Sequence, residues 1–269
     1  MVKNICNKKT LKTCGTVALC LLKFMVLMFL ADLSFGVITE LICTGNFHLS
    51  ENISQIISGD VGDVGIIILG YVYYKFNNES MLEDCEIRKT RWSYVIKSFF
   101  IGICMVAISS ILNTIIMKTF NLHSDTYNHV KEIYNIFSSN ILFLYSPLII
   151  APICEELLCR GMLFHRLQKI VNVKLAIVIQ AIFFACLHGN IIQFAYTFLM
   201  GIIAGCLVYY TRSIISSMIF HFANNLFALV ISGVIGSNNI VKVSYMILAS
   251  IVCLYLLWNI RKCSRLNIA

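Results

Sequence analysis

Two carboxylates and an arginine, Glu155, Glu156 and Arg160, stand at the end of an apolar run that begins at Ile141. Ionisable residues at membrane depth are costly and are usually kept for function. Glu156 and Arg160 are four apart with the acid first, so on a helix they share a face and can pair. Glu155 is rotated about 100° from Glu156 and faces elsewhere. A carboxylate without a cation in a dry site can serve as a general base. The doublet can therefore divide its labour, Glu155 for chemistry and Glu156 for structure. The plainer reading is a charge pair snorkelling from a helix end. The only two prolines of the chain, Pro147 and Pro152, precede the doublet. Each removes a backbone donor and bends a helix, which would leave the carbonyls of Phe143 and Leu148 without their usual partners.

Three further polar residues could join this chemistry. His188 closes an apolar stretch, Phe183 to Leu187. Alone it reads as a helix-end or packing histidine. His221 and Asn225 are four apart and share a helical face. Alone they read as hydrogen-bonding glue between helices.

The elements that must position these residues are membrane spans. Of 269 residues 59% are hydrophobic and 13% charged, against roughly 25% charged in soluble chains. That excludes the soluble classes. The net charge of +8 does not point to nucleic acid, because the basic residues gather in loops and termini, where they encode topology. Eight apolar segments suggest themselves, at about 15–38, 55–75, 94–117, 137–166, 174–188, 190–210, 213–235 and 241–260, each compared with the ~20 residues of a span. The fold class expected is thus all-α, a polytopic membrane protein of about eight transmembrane helices. The lysine-rich N-terminus and the run after Gly15 read as a retained first span. Lys and Arg alternate between loops: present at 76–93, 161–174 and in the tail, absent from 39–60 and 188–190, with 118–136 mixed through Lys118 and Lys131. This places both termini in the cytoplasm. Three regions follow: an N-terminal transmembrane region (1–135), a core that carries the polar residues (136–235), and a last helix with a basic tail (236–269). Most of the twelve cysteines lie in apolar runs and no CxxC pair occurs, so they read as small buried thiols.

Depth brings the polar residues together. Counted from the expected cytoplasmic helix ends at 1.5 Å per residue, Glu155 lies roughly 16 Å in, His188 roughly 21 Å, His221 roughly 12 Å and Asn225 roughly 18 Å. All four fall near the middle of a ~30 Å core. Glu155-Glu156-x-x-x-Arg160, Phe184-x-x-x-His188 and His221-x-x-x-Asn225 resemble the three motifs of the CPBP intramembrane proteases (CAAX protease and bacteriocin-processing, or Abi), which include the Rce-type prenyl endopeptidases. The motifs occur in order over about 140–235. Cys159 departs from the family, which usually has an aromatic residue there. The resemblance implies peptide-bond hydrolysis in a cavity within the membrane. By motif, Glu155 and His188 activate water, His221 and Asn225 hold the developing oxyanion, and Glu156, Arg160 and Phe184 support the site. Membrane lipid and a peptide or prenylated protein are the implied partners, at the cell membrane if the source is bacterial.

A metal is the open alternative. Glu155, His188 and His221 would supply three ligands and leave a fourth position for water, as in catalytic zinc sites. No HExxH is present, however, and the histidines lie on different helices, so a water-activating glutamate is preferred. Two other classes compete. An ion- or proton-coupled transporter would show polar clustering in both halves, but it is found only in the second. A non-catalytic immunity or scaffold protein on the same fold would not need the complete residue set. Gly201-x-x-x-Gly205 reads as a packing face; Asp60 and Asp63, at the start of the second span, could bind a cation, but a solvated helix start is the preferred reading.

Overall fold

The structure is a computed structural model and describes residues 2–119, 144–189, 191–234 and 239–266. These are helical, with no strand among the described residues. In chain order they form α1 (Val2–Ala31), a π-helical turn π1 (Asp32–Gly36), α2 (Val37–Gly45), α3 (Glu51–Phe76), the short α4 (Met81–Asp84) and α5 (Trp92–Thr119). The second half follows with π2 (Ser146–Ile150), α6 (Ala151–Glu156), π3 (Leu157–Leu163), α7 (Phe164–Gln168), α8 (Val173–Leu187), α9 (Ile191–Thr211), α10 (Ile215–Val234) and α11 (Asn239–Leu266). His123, His129 and Lys131, the start of the motif helix at 137–143 with the Phe143 carbonyl, Asn190 and most of the 236–240 turn lie outside the described residues.

Among the described residues five helices are long and apolar enough to cross a membrane, and two shorter apolar helices, Val173–Leu187 and Ile215–Val230, accompany them. The 28 residues of α5 extend about 42 Å at 1.5 Å per residue, beyond the ~30 Å hydrocarbon core. Leu22, Met25 and Phe29 of α1 and Ile247, Ile251 and Leu254 of α11 are exposed. Such outward apolar surface suits lipid rather than water. The chain is an integral, multi-pass membrane protein.

The first apolar helix extends to Gly45, longer than the expected 15–38, because π1 carries it through Gly36 without a break. Only about five residues then separate α2 from α3. Glu40 is therefore helical, and Asp60 and Asp63 sit midway along α3. The reading of those aspartates as a solvated helix start is corrected: the polar first turns of α3, from Glu51 to Ser58, read as loop and hid where the helix begins.

Close backbone approach fixes the helices around the motifs. A Cβ at Gly102 of α5 would lie 2.4 Å from the Phe220 carbonyl oxygen and 2.8 Å from the Ala223 Cβ, so α10 crosses α5 at contact distance. Gly201 of α9 is seated on Ala181, and Gly205 on Gln180. Gln180 Nε2 donates to the Gly201 carbonyl at 2.7 Å. The expected small-residue packing face thus joins α9 to α8. At one end of the bundle the 77–91 connection ties the elements together. Arg166 pairs with Glu79, Lys169 with Asp84 at 3.3 Å, and Ser213 Oγ donates to the Arg88 carbonyl at 2.6 Å. Cys85 of this connection packs against Gly161, and burial pushes its thiol up to about 12. Eleven described cysteines are free thiols.

Candidate active site

The segment from Ser146 to Gln168 alternates π and α turns: π2, α6, π3, α7. π turns inside α-helices gather at functional sites, and the prolines account for the first. In π2 the N–H of Ala151 donates to the Ser146 carbonyl, five residues back. The same register would pair residue 152 with the Pro147 carbonyl, but Pro152 has no N–H. Asn225 Nδ2, from α10, donates to that carbonyl at 2.8 Å. The carbonyl that takes a side-chain partner is therefore Pro147's, next to the Leu148 carbonyl that the proline spacing marks as lacking its helical donor. Ser146 Oγ donates to Asp60 Oδ1 at 2.7 Å, so π2 is held from α3 as well as from α10.

α6 then delivers the doublet. Glu156 is 1% exposed and Arg160 2%, which removes the reading of this pair as a snorkelling surface pair. Arg160 Nη1 lies 2.9 Å from Glu156 Oε1. His221 Nδ1 stands 3.0 Å from the same oxygen. A carboxylate accepts, so Nδ1 carries the proton. The ring's other nitrogen, Nε2, faces Glu155 Oε2 at 3.9 Å. Glu155 is only partly buried, its side chain 25% exposed. The two glutamates thus differ in burial and in partners, as their one-residue rotation requires.

Phe184 joins the three motifs. The Arg160 guanidinium lies 4.2 Å above its ring centroid, a cation–π distance. The rings of His188 and His221 meet it edge-on at 4.9 and 6.0 Å. Its carbonyl accepts from His188 Nδ1 at 3.0 Å, so in the neutral ring the proton is on Nδ1 and Nε2 is the basic nitrogen.

Glu155 and His188 line one cavity of about 190 Å³, together with Asp63, Cys154, Met28, Ile66, Leu158 and Leu187. His221 and Asn225 stand behind this wall and do not line the cavity. Asn225 is engaged by Pro147 and by Asn224 Nδ2, 3.2 Å from its Oδ1. Among the described residues no three His, Cys, Asp or Glu side chains are grouped as metal ligands. Glu156 holds His221 Nδ1, and Glu155, His188 and His221 do not converge as a zinc-type set.

From the sequence Asp63 read, with Asp60, as a possible cation ligand set aside in favour of a solvated helix start, and not as part of the motif site. Its one signal was a charge near the centre of a long apolar helix, obscured by an expected helix start at 55.

No curated protein and no solved structure matches the chain. A family match falls on the stretch that carries the geometry above. Residues 137–227, which hold all three motifs, match the type II CAAX prenyl endopeptidases, Rce1-like, and this is the family to which the chain's motif-bearing segment is similar.

Proposed function

We propose that the protein is an intramembrane endopeptidase that hydrolyses a peptide bond beside a membrane-associated segment, with Glu155 as general base. One observation carries this reading: Glu155 faces a cavity beside His188, while Glu156 is buried against Arg160 and His221. Water in the cavity gives a proton to Glu155 and attacks the scissile carbonyl. The proton then passes to the leaving amine. His188 Nε2 orients the water or relays the proton, a role that suits the ring nitrogen opposite the Phe184 contact. An oxyanion needs preplaced donors. His221 Nε2 would supply one when the ring carries both protons, with Glu156 as its counter-ion. Asn225 has a second amide hydrogen beyond the one given to Pro147. In the arrangement described, Asn225 also fixes the helix that carries Glu155.

The Rce1-like match supports a CAAX-type endopeptidase in general and favours a substrate carrying a lipid beside the cut. The full-length protein, reconstituted in liposomes, is offered a fluorogenic peptide with and without a farnesyl group. Faster cleavage of the farnesylated peptide is expected. Equal Glu155-dependent cleavage of both would reject lipid recognition and keep the protease.

A further inference from the structure

We infer that Asp63 is a specificity-determining residue of the same cavity and that it selects a peptide with a lysine or arginine beside the scissile bond. The inference rests on the endopeptidase reading above and names the charge class of its substrate. The polar wall of the cavity consists of Asp63, Glu155 and His188, and the rest is Met28, Ile66, Cys154, Leu158 and Leu187. No lysine or arginine lines it. Asp63 enters from α3, so this carboxylate reaches the cavity from the opposite half of the chain to the three motifs. Its neighbour on the same face, Asp60, is occupied by Ser146. Asp63 and Glu155 are two carboxylates on the wall of one small cavity, and like charges that share a site repel. A cation between Asp63 and Glu155 relieves that repulsion, whereas an acidic side chain adds to it.

Size limits what the cavity can read. At about 190 Å³ it is below the ~300 Å³ at which pockets begin to bury whole small ligands. It holds the reacting bond and one neighbouring side chain. The aliphatic stem of a lysine would run along Met28, Ile66 and Leu158 with its ammonium at Asp63, an arrangement long basic side chains adopt readily. Glu155 remains the base, and Asp63 binds.

The test uses the full-length protein in liposomes and a peptide in which Lys, norleucine or Glu is scanned through four positions around the scissile bond. At one position the wild type is expected to cleave the Lys peptide about tenfold faster in kcat/KM than the norleucine peptide, mostly through KM, with the Glu peptide slowest. Asp63→Asn should bring the Lys-to-norleucine ratio near one, Asp63→Glu should keep it above one, and Asp63→Lys should move the preference towards Glu. A wild type with no preference for Lys at any position overturns the inference without any variant. An unchanged ratio in Asp63→Asn overturns it also. Absence of Glu155-dependent cleavage of every peptide would reject the endopeptidase reading itself, an outcome distinct from loss of charge preference alone.

Discussion

Glu156 is the most constrained side chain of the cluster. One of its oxygens meets both Arg160 at 2.9 Å and His221 at 3.0 Å. Removing one partner of a buried ion pair costs ~3–5 kcal/mol, because the other charge is left without compensation. Arg160→Ala therefore should lower stability by about that amount, and also turnover, since Phe184 loses the guanidinium on its face. Thermal unfolding in detergent and cleavage rates measured on one preparation check this. A variant as stable as the wild type would show that Glu156 does not depend on Arg160. At this scale the sequence was informative. The i, i+4 spacing of Glu156 and Arg160 and the rotation of Glu155 fixed which carboxylate is braced. The attachment of His221 to Glu156 was not readable, because it joins residues 65 apart on helices whose mutual rotation no spacing records.

The helix from Ser146 to Gln168 shows how a local sequence choice becomes geometry. Pro152 deprives the Pro147 carbonyl of a backbone donor, and Asn225 provides one from α10. Pro152→Ala returns an N–H that competes for this carbonyl. A proline inside a helix costs about 3 kcal/mol, and one hydrogen bond contributes about 0.5–1.5 kcal/mol net. The variant should thus be more stable and less active, since Asn225 no longer sets the helix that carries Glu155. Unfolding temperature and kcat, read together, test the two signs. A gain in stability with kcat unchanged would show that the Pro147–Asn225 bond has no part in placing Glu155. The prolines announced a kink, but not the five-residue register that selects the carbonyl. That register depends on the helices packed around it, among them α3 through Asp60 and Ser146.

Across the whole molecule, counting along apolar spans put Glu155, His188, His221 and Asn225 in one layer; in the structure the rings of His188 and His221 both meet Phe184, and Glu155 Oε2 lies 3.9 Å from His221 Nε2. The N-terminal half was harder to read. The polar first turns of α3 read as loop, and the distance in sequence between the motifs and Met28, Asp63 and Ile66 concealed that these residues complete the cavity. Motifs within single helices were therefore legible, whereas the wall supplied by α1 and α3 depended on tertiary packing. The central claim concerns Glu155, and its most direct test is the cleavage rate of Glu155→Gln beside its unfolding temperature, in liposomes and with a peptide the wild type cuts. Loss of a general base is expected to slow turnover by about 10²- to 10⁴-fold, while the unfolding temperature stays close to that of the wild type, because the partly exposed Glu155 does not brace the fold. A folded Glu155→Gln protein that cleaves at close to the wild-type rate would contradict the assignment.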